Sequence, residues 1–412
     1  MINKRIVCSA VCGLLMALSA WARSPMSVDS VIAQRMHERN IPVLDGNSVK
    51  FFYNGHDKFV DLFEAVRGAK SSIHLEYFNF RNDSIAGLLF KLLAEKAKEG
   101  VEVRAMYDDF GNCSNNSPIK KAMHDSIRAT GVNLVRFDPI RFPWVNHIIP
   151  RDHRKIVVID GRIAYTGGMN VADYYIEGIP GIGDWHDLHF RIEGPAVEEL
   201  QKVFCNMWRK ATKENLLGKD KYFPKAEIAG DKRLAIIDRA SGKTSDSMRD
   251  LYATMIDAAH VSIKIINPYF VPTHRVRKAL KRAIDRGVKV EILVSARGDI
   301  PMTPQTAQYV ANNYMKRGAT VYLFEGGFHH TKMMIVDDVC CTAGSVNLDS
   351  RSLRCDYEIN TLILNKEATH QLIEHFEQQK KHAFVMYKGW WTEQSFGHRF
   401  QGWLGNVLTP FL

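Results

Sequence analysis

The chain has 412 residues, of which 46% are apolar and 24% charged. This excludes a disordered or fibrous protein and leaves room for two core-forming units. Its formal charge of +10 favours anionic partners, whether phosphates, nucleic acid or an acidic membrane surface. Its seven cysteines are sparse and form no disulfide framework, and no Cys/His spacing suggests a zinc site.

In chain order, Lys4 and Arg5 precede an apolar run from Ile6 to Ala20, closed by Ala20-Trp21-Ala22. That layout predicts that residues 1–22 are a secretory signal peptide or a short membrane anchor. The run falls short of the roughly 20 residues a membrane span needs. As a signal it would place the mature chain in the cell envelope, on the periplasmic or extracytoplasmic side.

An order of elements then occurs twice. Residues 69–78, AKSSIHLEYF, and 259–270, AHVSIKIINPYF, read as strands that end in aromatic pairs. Each precedes a helical pattern, through Leu88, Leu89, Leu92 and Leu93 or through Val276, Leu280 and Ile284. Gly100 and Gly287 end those helices and open the strands GVEVRAM and GVKVEIL. Another glycine and strand follow in each half, GVNLVRF at 131–137 and GATVYLF at 318–324. Strand and helix in alternation imply crossover connections. The expected fold is α/β: two pseudo-repeated halves, 45–211 and 233–385, each a mixed, largely parallel sheet flanked by helices. The polar stretch from Thr212 to Lys232 joins them.

Each half closes on His-x-Lys, four residues, then Asp: His153, Lys155, Asp160 and His330, Lys332, Asp337. These six are the candidate catalytic set. The intervening residues read as buried strands, each turned back at its aspartate. The small loops GGMN and GSVN follow and carry Asn170 and Asn347, candidate phosphate-binding residues. One half thus presents one imidazole, one ammonium and one amide. That set suits phosphoryl chemistry: one histidine attacks phosphorus and a second moves the proton. The lysines and asparagines stabilise the developing negative charge. The charge balance calls for no metal and no cofactor. A complete site needs both halves, which is why the motif is written twice.

The stretches HRKIVVIDGRIAYTGGMN and HTKMMIVDDVCCTAGSVNLDSRS resemble the phospholipase D superfamily, in particular its cardiolipin synthase branch. RIEGPAV, INPYFVPT and SLRCDYEIN extend the likeness, which covers roughly residues 45–412. The resemblance implies an active site between the halves and a phosphohistidine intermediate. It makes His153 the nucleophile and His330 the general acid/base, and it makes Asp160 and Asp337 structural members of the motif. Glu358 matches the family's carboxylate after the second motif, with Asp187 its counterpart after the first. Such carboxylates orient catalytic imidazoles. The chain departs from the branch in having one short N-terminal apolar segment where two membrane spans are common. It also carries His186 where Arg more often precedes the aspartate.

The last segment, 386–412, places Phe396, Phe400, Trp403 and Val407 at helical spacing near Lys380, Lys381, Lys388 and Arg399. An amphipathic, membrane-interfacial tail is expected. The function expected is cardiolipin synthesis from two phosphatidylglycerol molecules at a membrane surface. The alternative is a phosphodiesterase that hydrolyses phospholipid or nucleic acid. Nucleic acid is disfavoured because no aromatic-studded basic groove is apparent.

Overall fold

The computed structural model describes residues 26–140, 149–242 and 244–408. The leader expected over residues 1–22 and the last four residues of the tail lie outside the described residues.

The motif strands Lys155–Ile159 and Met333–Val336 are buried at every position. Alternation sends Val157 and Ile159 to one apolar cluster and Ile156 and Val158 to another. A strand covered on both faces needs such a continuous apolar run. Beyond it, Asp160 (φ 54°) and Gly161 (φ 64°) make the left-handed turn of a tight hairpin. The return strands are Ile163–Gly167 and Cys340–Gly344.

Across the first half the strands lie in the order Leu44–Phe52, His189–Glu193, Ile163–Gly167, Lys155–Ile159, Ser72–Tyr77, Glu102–Asp108, Asn133–Phe137. The second half repeats it with Lys232–Arg239, Glu358–Ile363, Cys340–Gly344, Met333–Val336, Ser262–Ile266, Lys289–Ser295 and Thr320–Phe324, and adds Ala383–Val385 at its outer edge. Leu44–Phe52 and Lys232–Arg239 pair antiparallel, so the halves merge into one 15-stranded sheet. Parallel pairing occupies the crossover strands of each half. The motif hairpins pair antiparallel, as their short turns require, and so do the strands of the seam.

Helices cover both faces. Gly55–Gly68 and Ser84–Lys98 in the first half, and Ser247–Ala258, His274–Asp285 and Thr303–Met315 in the second, pack in two separate clusters. Ala196–Thr212 and Lys366–Lys380 share a cluster on the opposite face that runs across the seam, with Leu200, Ile156, Met333 and Phe376 among its members. The connection after Thr212 is a packed strap, with Leu216 and Tyr222 buried and Arg104 2.9 Å from Glu214. The helix Val28–Glu38 precedes the first half in sequence yet docks on the second, through Ile32 and Met36 and an Arg35–Asp250 ion pair at 2.9 Å.

Candidate active site

His153 stands two residues ahead of the strand Lys155–Ile159 and His330 three ahead of Met333–Val336, at the seam between the halves. Main-chain bonds tie each to the opposite half. His153 N donates to Tyr357 O at 3.0 Å, and Tyr357 N donates to Arg151 O at 2.8 Å. His330 N donates to His186 O at 2.7 Å. The short strands Trp185–His186 and Phe328–His329 pair beside it.

The orienting carboxylates follow the same exchange. Glu358, from the second half, lies 3.0 Å from His153 Nδ1. Asp187, from the first half, lies 2.7 Å from His330 Nδ1. Each carboxylate follows one motif in sequence and serves the histidine of the other. Both are fully buried, and by engaging Nδ1 they fix the orientation of each ring. With Nδ1 held, Nε2 of each histidine is the nitrogen free for chemistry. The Ser345 hydroxyl donates to the second oxygen of Glu358.

Lys155 Nζ donates to the carbonyl of His153 at 2.5 Å, and Lys332 does the same to His330. Burial pushes Lys155 down to about 7 and Lys332 down to about 8. Burial also holds His153 well below the usual histidine range, reinforced by Lys155, Lys332 and His330. Burial and Lys332 lower His330, against the pull of Asp187. Glu358 is raised to about 7, again by burial, with Lys155 opposing. The electrostatic picture is of two imidazoles and two lysines whose charged forms burial disfavours, opposed at the lysines by Glu358 and Asp187. A phosphate diester entering here would restore the lysine charges.

Asn170 and Asn347 are buried at the ends of the two loops, each with Oδ1 unpartnered. Such atoms suit a ligand that arrives later. Asp160 and Asp337, counted with the catalytic set from the sequence, are separated from the two histidines by the length of the motif strands. Asp160 accepts from the backbone N–H of Lys70, Ser71 and Ser72 at 2.7–2.8 Å. Asp337 accepts from His260, Val261 and Ser262 at 2.6–2.8 Å. They pin the entry of a neighbouring strand, where three N–H groups would otherwise go unmet.

Aromatic rings wall the site, and most were not signalled by the sequence. Phe78 stands edge-on to His153 at 5.1 Å, with Lys155 Nζ 5.5 Å from its ring centre. Trp185, Phe328 and Tyr269 surround His330 at 5.5, 5.6 and 6.3 Å. Of the pair Tyr269-Phe270, only Tyr269 reaches the site; Phe270 belongs to the core. His186 bonds Gly326 O at 3.0 Å and stacks on His329 of the second half at 5.7 Å. In the polar loop 112–117, Asn112 and Asn115 turn their amides inward, Asn112 to Ile119 O at 3.1 Å and Asn115 to Asn112 O at 2.7 Å. Cys340 and Cys341 are core residues.

Comparison with known proteins agrees with this geometry. The sequence family described as cardiolipin synthase, PLD-like domain, matches residues 62–208 and 252–380. A probable cardiolipin synthase of Bacillus subtilis is 36% identical over 341 residues, covering 82% of this chain and 67% of that protein. A cardiolipin synthase of Oceanobacillus iheyensis is 33% identical over 367 residues, covering 89% of this chain and 75% of that protein. The crystal structure of phosphatidylserine synthase from Haemophilus influenzae shares the fold, with a TM-score of 0.67 at 14% identity over 92% of this chain and 100% of that one. With two motifs, two exchanged carboxylates and one shared sheet, the chain belongs to the cardiolipin synthase family of phospholipase D-like phosphatidyltransferases.

Proposed function

We propose that the protein joins two phosphatidylglycerol molecules into cardiolipin and releases glycerol, through a phosphohistidine on His153. The observation that carries this reading is the exchanged pairing of Glu358 with His153 and Asp187 with His330. It leaves two Nε2 atoms, one from each half, to act on one phosphorus.

The Nε2 lone pair of His153 attacks phosphorus, and the bond to the glycerol oxygen breaks. His330 gives its proton to that oxygen. Burial and Lys332 depress His330; the anionic diester adds a counter-charge beside it, so the proton arrives with the substrate. As the N–P bond forms, His153 becomes cationic beside Glu358, which stabilises it. A hydroxyl of the second phosphatidylglycerol then gives its proton to His330 and attacks phosphorus. The N–P bond breaks, and cardiolipin leaves with both histidines as they began. Lys155, Lys332, Asn170 and Asn347 stabilise the charge on the non-bridging oxygens in both steps.

Substrate presentation by a bilayer is part of the proposal. The helix Phe396–Leu408 packs its small side on Thr303–Met315, with Gly402 against Gln305 O and Gly405 against Thr306 Oγ1, where a side chain would collide. The opposite side leaves Phe396, Phe400, Trp403 and Val407 exposed, two of them with ring centres 6.0 Å apart. With a chain charge of +10, that ridge suits an anionic membrane surface. Among the described residues no helix is long and apolar enough to cross a membrane.

The test is lipid mass spectrometry after purified protein meets phosphatidylglycerol vesicles. Cardiolipin with equimolar glycerol is expected. Phosphatidic acid as the sole product would replace transfer by hydrolysis.

A further inference from the structure

The two halves match residue by residue around the site, which makes their differences informative. Ala69 and Ala259 cap equivalent helices, and Ser72 and Ser262 start equivalent strands. On that register Lys58 stands where the second half has Met248. Gly168, in GGMN, stands where it has Ser345, in GSVN. His189, opposite Gly167 in the sheet, stands where it has Asn360, opposite Gly344.

These three exchanges lie behind one carboxylate in each half. Behind Glu358 the direct hydrogen-bond support is neutral: the Ser345 hydroxyl donates to it, Asn360 is held by Tyr252 and Thr342 at 3.1 and 3.2 Å, and the buried Arg239 opposite Glu358 in the sheet spends its guanidinium on the carbonyls of Arg354, Cys355 and Asp356. Behind Asp187 that hydroxyl is missing. A Cβ at residue 168 would lie 2.2 Å from Asp187 Oδ1, so no serine fits. A lysine is present instead. Lys58 has no exposure to solvent. Its Nζ donates to Asn170 O at 3.4 Å and lies 3.9 Å and 5.3 Å from the ring centres of Phe59 and Tyr77. Two ring faces, a carbonyl and a carboxylate field are surroundings that favour an ammonium. A lysine this deep is rare unless paired, and nothing in the reaction as derived uses it.

We propose that Lys58 is a positioning residue: its buried ammonium fixes the Asn170 loop and supplies the positive field under which Asp187 serves His330. It makes the two histidines unequal, with His330 on the side backed by a cation and His153 on the side backed by a hydroxyl. Burial drives the Lys58 ammonium down from its ordinary range while Asp187 alone draws it up, so its charge depends on that carboxylate. The other groups in reach are few. Lys332, Asp187 and Asp299 act on His330. Lys58 and Lys155 act on His189, whose two ring nitrogens are unpartnered. Tyr175 lies in the field of Asp187.

The kinetic part rests on the transfer reading above; the titration part does not. The measurement is a histidine-labelled NMR titration of the full chain, with the His330 resonance assigned by its loss in His330→Asn. Two variants are compared with the parent. Lys58→Met installs the residue of the second half, and replacing a buried charge by an apolar group of similar size is often neutral for folding. Lys58→Gln keeps a donor for Asn170 and removes the charge. Without the ammonium, Asp187 favours the protonated imidazole more strongly. The His330 titration therefore moves to higher pH by roughly half a unit or more in both variants. kcat on phosphatidylglycerol falls about tenfold or more, less in Lys58→Gln if KM is retained by the Asn170 contact. An unmoved His330 titration in both folded variants overturns the proposal even if kcat falls. A moved titration in a protein that makes no cardiolipin upholds Lys58 and overturns the transferase reading.

Discussion

Replacing Glu358 by Gln keeps the shape of the group behind His153 and removes its charge. The carboxylate lies 3.0 Å from Nδ1 and has no solvent exposure. In the proposed mechanism His153 becomes an imidazolium in the transition state. At that separation and an effective dielectric of about 20, the attraction is ~5 kcal/mol. A charge-assisted hydrogen bond judged by its net worth gives the lower figure, about 1.5–3 kcal/mol. The amide can also present its NH2 to Nδ1, which puts the proton on Nε2 and blocks attack. The expected fall in kcat is therefore on the order of 10²–10⁴-fold. The assay is cardiolipin formation under saturating substrate, with single-turnover capture of the phosphoenzyme. The variant should melt no lower than its parent, since a buried charge has been removed. Its pH profile should change as well. Glu358 titrates near 7 because burial raises it. Its carboxylate is the working form, so the parent loses rate as pH falls through that value. The variant lacks that limb. A kcat within threefold of the parent, or an unchanged acid limb, would refute the argument.

Asp160→Ala should cost stability on the order of 2 kcal/mol, because three backbone N–H groups lose their acceptor; thermal melting reads this, and kcat of the folded enzyme should stay near that of the parent. Binding of a phosphodiester anion near pH 8 should take up protons, since it restores lysines now held at about 7 and about 8; calorimetry in buffers of different ionisation enthalpy measures the uptake, and none would mean the lysines are charged already. Phe400→Ser with Trp403→Ser should weaken flotation with anionic vesicles yet leave turnover of detergent-dispersed substrate intact. Loss of both would assign those rings to folding.

The motif strands were readable because burial on both faces demands an unbroken apolar run, as in Ile156–Ile159. The strands of the seam were not. Leu44–Phe52 carries Asp45, Gly46 and Lys50, and Lys232–Arg239 has charged ends. Their strand character comes from pairing with each other and with His189–Glu193 and Glu358–Ile363, a long-range cause with no local signal. Asp187 and Glu358 could be picked out as orienting acids. Which histidine each serves is decided by how the halves face one another, which linear order does not encode. Trp185 had no signal of its own in the sequence, although it precedes the departing His186, and it lies beside His330. Lys58 in an amphipathic helix reads as a surface residue; only Phe59, Tyr77 and the loop of Asn170 closing over it put it inside.

The exchange of carboxylates is what a self-complementary contact between two identical subunits produces: if one residue touches a second across the axis, the second touches the first. Seen so, this chain has the anatomy of a homodimer whose subunits were fused and then allowed to diverge. Such fusion removes concentration from the equation, because the partner that completes each half is always present. It also permits what a true dimer forbids, since a symmetric pair must mutate both copies together. Met248 and Lys58, or Ser345 and Gly168, can differ only because one polypeptide now holds both. Fixing in advance which of two imidazoles takes which of the proposed roles is thus a freedom gained by covalent linkage.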